Sequence, residues 1–289
     1  MTLKELDKIK RIILVGLVSD DDLMETLVLK GGNALSLMYG LNNRGSFDLD
    51  FSIETDFDEE VSVVMAKIEH NISQAFLKEG YTLFEFKHKE QPHILSDEVK
   101  NFWGGYYIEF KIIETSKYDP LNIEHTRRSA LRNQPNFSPK FTIDISKYEY
   151  IKNRTIKTID GYSIYVYGIE MILFEKARAI CQQNNEYLPI IHSQDKPKKD
   201  RAKDFYDIYN LLEGYQIDLY SSENKYLIKS IFDAKKVPMS YIKLVPNYRE
   251  KHRQGFASLR DTVTINESLE NFDFYFDYFI DNFFPFSVL

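Results

Sequence analysis

Asp48 and Asp50, in the run Ser46-Phe47-Asp48-Leu49-Asp50-Phe51, are the residues of this chain best suited by type and spacing to do chemistry. Carboxylates one strand repeat apart point to the same side of an extended chain, where they can hold one or two divalent ions. Mg2+ or Mn2+ held in this way bridges carboxylates and substrate phosphates in phosphoryl and nucleotidyl transfer. Upstream, Lys30-Gly31-Gly32-Asn33 follows the apolar Leu27–Leu29 and precedes the helix formers Ala34–Tyr39. A glycine turn between a strand and a helix exposes backbone N–H groups at a helix N-terminus, where the dipole also attracts anions. Asn33 is a good N-cap type for that helix. Alone, the glycine pair reads as a tight turn and the Asp-x-Asp as a solvated edge strand. Their order and their strand–turn–helix–strand context make them two halves of one nucleotide site. The triphosphate tail belongs at the glycines and the metal at the aspartates.

The elements that must position these residues follow from periodicity. Phe47, Leu49, Phe51 and Ile53 alternate with Asp48, Asp50, Ser52 and Glu54, so the first set faces a core and the second the opposite face. Val61, Val64, Ile68, Ile72 and Phe76 recur at helical spacing over Glu59–Glu79, and Gly80 ends that helix. Tyr81–His88, Tyr106–Ile113, Phe141–Ser146 and Tyr162–Tyr167 read as strands, after which the pattern turns helical. Ile169–Cys181 carries Lys176 inside its apolar stripe. A lysine there must snorkel, pair with a carboxylate or point into a site, and Met would suit the same stripe. A polar loop follows, in which Lys196, Lys198, Lys199, Arg201 and Lys203 form the densest positive cluster. It could meet an RNA backbone or simply be solvated. The helix after it sets Asp204 and Asp207 one turn apart, with Arg201 and Lys203 spaced to pair with them. Near the C-terminus Arg249, Lys251, His252 and Arg253 make a weaker basic patch, and Asp273, Asp277 and Asp281 ride on an aromatic helix that should pack on the body. The fold class is α/β (α+β): a mixed sheet in an N-terminal half, residues 1–160, and a mainly helical C-terminal half, 161–289, sharing a cleft.

Composition narrows the field. The 289 residues are 43% hydrophobic and 28% charged, ordinary for a globular protein, and the net charge of −7 argues against a wholesale nucleic-acid coat. The single cysteine, Cys181, cannot form an internal disulfide, and six scattered histidines show no zinc spacing. Met1–Arg11 is charged and Ile12–Val18 is too short for a signal peptide core, so a cytoplasmic location is expected. No run approaches the ~20 apolar residues that span a bilayer, so no membrane partner is expected.

The stretches Lys30-Gly31-Gly32-Asn33-Ala34-Leu35 and Arg44-x-Ser46-x-Asp48-Leu49-Asp50-Phe51 resemble the AbiEii/AbiGii toxin family of the nucleotidyltransferase superfamily. Asn33 departs from the pattern, which has Ser or Thr after the glycine pair. The resemblance implies a nucleotidyltransferase fold and transfer of a nucleotide from an NTP to an acceptor hydroxyl, with tRNA a plausible acceptor. It also implies a role as the toxin of a toxin–antitoxin or abortive-infection system, with a separate antitoxin protein. Superfamily members add a third carboxylate from a neighbouring strand, for which Asp144 in "TIDIS" is preferred to Glu109 in "YIEFK". The "EKARAI" and "R-x-K-D-x-x-D" segments resemble the family's late motifs, implying active-site roles for Lys176 and for Asp204 ahead of Asp207. Lys30, Gly31, Gly32, Asn33 and Arg44 would hold the triphosphate, and Ser46 could touch nucleotide or be modified. The rival expectations are transfer to a protein or small molecule, or a catalytically silent nucleotide- or RNA-binding protein.

Overall fold

Two N-terminal helices, α1 (Leu3–Val18) and α2 (Asp21–Thr26), lead into β1 (Val28–Lys30), a strand buried at all three residues. The structure, a computed structural model, describes residues 2–41, 48–133, 138–194, 199–263 and 269–288. Arg44, Ser46, Lys196 and Lys198 therefore lie outside the described residues. α3 (Gly31–Tyr39) starts directly at the glycines, and β2 (Leu49–Ser52), α4 (Val61–Lys78), β3 (Tyr81–Gln91) and β4 (Gly105–Glu114) follow. Next come α5 (Ile123–Ser129), β5 (Phe141–Ser146), β6 (Thr155–Ile159) and β7 (Tyr162–Val166). β6 was not expected, since its outward residues are mostly exposed and leave no apolar alternation to read.

Among the described residues the seven strands form one mixed sheet in the order β3-β4-β5-β2-β1-β7-β6. β2 runs antiparallel to β1 and parallel to β5, which puts the two Asp-bearing strands side by side at the centre. Alternation holds as expected: Leu49, Phe51 and Ile53 are buried beneath β2, and Phe141, Ile143 and Ile145 beneath β5. The opposite face of β2 is less open than the pattern suggests. Ser52 is fully buried there and accepts a hydrogen bond from the Tyr167 hydroxyl at 2.8 Å. α4 buries Val64, Ile68, Ile72 and Phe76, the stripe read from its spacing.

The remainder is helical. α6 (Ile169–Cys181), α7 (Ala202–Gly214) and α8 (Ser222–Ala234) are followed by a 3-10 segment, Met239–Tyr248. α9 (Arg249–Arg253), α10 (Phe256–Arg260) and α11 (Phe272–Phe283) complete it. The aromatic helix α11 packs on the body: Phe272, Phe276 and Phe279 surround the ring of Phe205 on α7 at centroid distances of 5.1–5.7 Å. One hydrophobic cluster joins the sheet and these helices, from Leu6 to Phe286. Among the described residues no helix is long and apolar enough to cross a membrane.

Candidate active site

Asp50 sits where the sequence motifs meet. Its register partner on β1 is Lys30 and its register partner on β5 is Asp144. The glycine beside it has a double reason to be glycine. Gly31 has φ +69°, a conformation that L side chains rarely adopt, and a Cβ there would lie 2.8 Å from the Asp50 carboxylate. The glycine turn and the acidic strand are thus one packed unit, and Asp50 needs the absent side chain. Asn33 does not cap α3, because the helix begins at Gly31 with Lys30 at the N-cap. Its buried amide instead donates to the Asp48 carbonyl at 2.5 Å, tying the helix to the approach of β2. Asp48 stands at the open end, exposed, and its carboxylate accepts from the Thr142 hydroxyl of β5.

The electrostatics of this mouth are those of crowded acids. Burial raises the Asp50 carboxyl to about 7, and the like charges of Asp144, Asp48 and Glu175 add to the shift against the opposing pull of Lys30. Asp144 is also raised, by burial first and then by Asp48, with Lys199 among the cations opposing it. Among the described residues no three His, Cys, Asp or Glu side chains gather as a ready metal cage. The donor set nevertheless suits a hard divalent cation: carboxylate oxygens only, from adjacent strands, with a mutual repulsion that such an ion would relieve. Glu109, the other expectation for a third carboxylate, is engaged elsewhere. Both its oxygens accept from Lys140 at 2.9 Å, and that bond first of all holds its carboxyl below the usual range.

From the helical side, Lys176 is buried at 3% exposure and bonds two aspartates of α7, Asp204 at 2.9 Å and Asp207 at 2.6 Å. It therefore pairs with carboxylates rather than snorkelling, and a Met in its place would take a shared ammonium from two buried acids. Asp204 also meets Arg201 at 3.3 Å. Burial would raise the Asp204 carboxyl, but Lys176 and Arg201 outweigh it and hold it low. A cleft of about 800 Å³ joins the two sides, lined by Gly31, Gly32, Asp48, Asp50 and Asp144 from the sheet. Lys176, Asp204, Lys199, Arg201 and Lys203 line it from the helices, whereas Asp207 does not reach it. The second basic patch is spent on structure: Arg249 and Arg253 both bond Asp273 of α11 and His252 is fully buried.

Sequence reasoning missed the charged floor of the cleft. Glu149, 5% exposed, takes a two-pronged bond from Arg178 at 2.9 and 3.2 Å and lies within 3.5 Å of Lys30 and 3.6 Å of Lys235. Burial would raise its carboxyl, but Arg178, Lys235 and Lys30 drive it well below the ordinary range. Lys30, placed in the sequence reading among the triphosphate ligands, is itself buried here and donates to Ser146 at 3.2 Å. The one available signal was Arg178 in the first apolar helix after the sheet, two residues beyond Lys176.

Residues 12–278 match the family model described as "Nucleotidyl transferase AbiEii toxin, Type IV TA system". The chain is similar in structure to JHP933 from Helicobacter pylori, at 17% identity and TM-score 0.51, covering 100% of this chain and 94% of that one. It also aligns with MenT4, a nucleotidyltransferase toxin from Mycobacterium tuberculosis, at 14% identity and TM-score 0.45, over 98% of this chain and 83% of that one. No curated protein matches the chain.

Proposed function

This chain belongs to the AbiEii nucleotidyl transferase toxin family of type IV toxin–antitoxin systems, and from that premise we propose that it moves a nucleotidyl group from an NTP to an acceptor hydroxyl on RNA, with tRNA the favoured acceptor. Family membership makes it a nucleotidyltransferase with an antitoxin partner and an NTP substrate. The single observation that carries the site assignment is the packing of Gly31 against Asp50, with Asp144 in register beside it.

In this reading the N–H groups at the start of α3, from Gly31 and Gly32, face the triphosphate and leave Asn33 to brace the loop. Asp48, Asp50 and Asp144 would hold Mg2+ or Mn2+, which supplies charge neutralisation at the reacting phosphate and a lowered pKa for the acceptor hydroxyl. The acceptor hydroxyl oxygen attacks the α-phosphate and loses its proton to solvent, a new P–O bond forms, and the bond to the β-phosphate breaks to release pyrophosphate. Lys199, Arg201 and Lys203 supply positive charge for the leaving group and the RNA backbone. Lys176 fixes Asp204 at the cleft wall, where that carboxylate can orient the acceptor. Lys30 stays among the phosphate-facing cations, and Arg44 and Ser46 remain family-based assignments. We take residues 1–160 as the nucleotidyltransferase unit and 161–289 as the helical unit that closes the cleft, working in the cytoplasm where NTPs and RNA are found.

The test is transfer of α-phosphate label from each NTP to total RNA in the presence of Mg2+, with Asp50→Asn as the comparison. Label moving to protein alone would replace RNA by a protein acceptor. NTP binding without turnover would support a silent binder.

A further inference from the structure

The cleft has a wall that the phosphate and metal chemistry leaves unused. It is Trp103, the only tryptophan of the chain, half-buried at the end of the segment between β3 and β4 and lining the same cleft as Asp50 and Asp144. The ring is held by its neighbours, one of which, Lys235, also lines the cleft. Tyr187 packs edge-on against it at 5.7 Å, and the Lys235 ammonium lies over it at 5.4 Å. Those two are themselves joined, since the buried Tyr187 hydroxyl donates to the Lys235 carbonyl at 2.6 Å. Phe102 next to it lies under Lys236, with the ammonium 4.0 Å from the ring centre. An indole held by these contacts and lining a polar cleft can serve as a preorganised stacking platform.

Its position along the sheet also fits. Gly105, the first residue of β4, is opposite Ser146 and Tyr107 opposite Asp144, so Trp103 lies two residues before the strand and four along the chain from the register partner of Asp144. The chain can come this close only because Gly105 lacks a side chain: a Cβ there would lie 2.2 Å from the Ile145 carbonyl. We propose that Trp103 is the nucleobase platform of the NTP site, stacking the base while the triphosphate lies toward Gly31 and the carboxylates. This rests on the nucleotidyltransferase reading above. Base–aromatic stacking of this kind tolerates all four bases, so Trp103 supplies affinity and orientation more than choice of NTP.

A single tryptophan makes the inference directly measurable. Intrinsic fluorescence of the full chain is titrated with ATP, GTP, CTP and UTP, and with inorganic tripolyphosphate, which carries no base. Binding of each labelled NTP is followed in parallel by equilibrium dialysis, and quenching by a short single-stranded RNA distinguishes an acceptor base from the NTP base. The expected result is saturable quenching by at least one NTP at the concentration where dialysis finds it bound, and none by tripolyphosphate. Trp103→Leu should weaken that NTP about tenfold, Trp103→Phe should recover most of the loss, and tripolyphosphate should bind all three proteins alike. Bound NTP without quenching, with Trp103→Leu at wild-type affinity, overturns the inference and leaves the transferase reading standing. Quenching by RNA alone assigns the platform to the acceptor and equally overturns it. Failure of every NTP to bind the wild-type chain overturns both.

Discussion

Asp50 and Glu149 are carboxylates of the same cleft, one half-buried and one buried, and their surroundings drive them in opposite directions. Glu149 faces Arg178, Lys235 and Lys30, and stays ionised far below its ordinary range despite burial. Asp50 faces Asp144, Asp48 and Glu175, with Lys30 in opposition, and burial with that crowding lifts it to about 7. The floor of the cleft is therefore neutralised by Arg178, Lys235 and Lys30, while at the mouth Asp48, Asp50 and Asp144 crowd one another. A region with its own counter-ions contributes to the joint between sheet and helices. A region of crowded acids is suited to receive a cation and a polyphosphate.

Substitutions should separate the two regions. Asp50→Asn or Asp144→Asn should lower nucleotide transfer at least roughly a hundredfold, with thermal melting unchanged or raised because a repulsion is relieved. Wild-type transfer in either variant would erase the distinction. At the floor the effect should fall on stability: Glu149→Gln leaves Arg178 and Lys235 facing a neutral amide and should cost about 3–5 kcal/mol in urea unfolding. Lys176→Met should destabilise by a similar ~3–5 kcal/mol, since Asp204 and Asp207 lose their shared ammonium, and should impair transfer as well. A Met variant as stable as wild type would show that those carboxylates have other support.

The same contrast carries a pH signature. Asp50 binds its proton more tightly folded than unfolded, so without metal its contribution is most favourable below about pH 4 and declines as pH rises toward about 7. Glu149 and Asp204 have lowered pKa values and act oppositely: their contribution is present above the ordinary carboxylate range and is lost as pH falls below it. Between pH 5 and 7 the Asp50 contribution should give a slope of at most about 1.4 kcal/mol per pH unit, absent in Asp50→Asn. Denaturant melts across that window check it, and an unchanged slope in the variant would contradict the assignment.

The smallest effect distinguishes the two basic patches. Lys199→Gln and Lys203→Gln should each flatten the log–log salt dependence of RNA binding by about 0.7. Arg249→Gln and Arg253→Gln should leave it unchanged, because those side chains are bound to Asp273 and its neighbours.

Much of the mouth was legible because it is written in local pattern. Period-two alternation alone put Asp48 and Asp50 on one face and Asp144 on the polar side of its own strand. That Asp50 and Asp144 are register partners was not legible, since it depends on β2 lying between β1 and β5. Asn33 misled because its residue type fits a cap, whereas α3 already begins at Gly31, which leaves the amide to brace Asp48. The floor escaped altogether. Glu149, Arg178 and Lys235 come from three separate elements, and each alone resembles a surface charge until packing brings them together. Lys176 was visible only as an anomaly in an apolar stripe, and its partners had to be found in space.

The most direct measurement is transfer of label from α-phosphate-labelled NTPs to total RNA with Mg2+, comparing wild type, wild type with chelator, and Asp50→Asn. The account predicts labelled RNA and released pyrophosphate in the first reaction and neither in the other two. Equal labelling by Asp50→Asn, or labelling that survives the chelator, would contradict a metal-dependent nucleotidyl transfer at the Asp48–Asp50–Asp144 mouth.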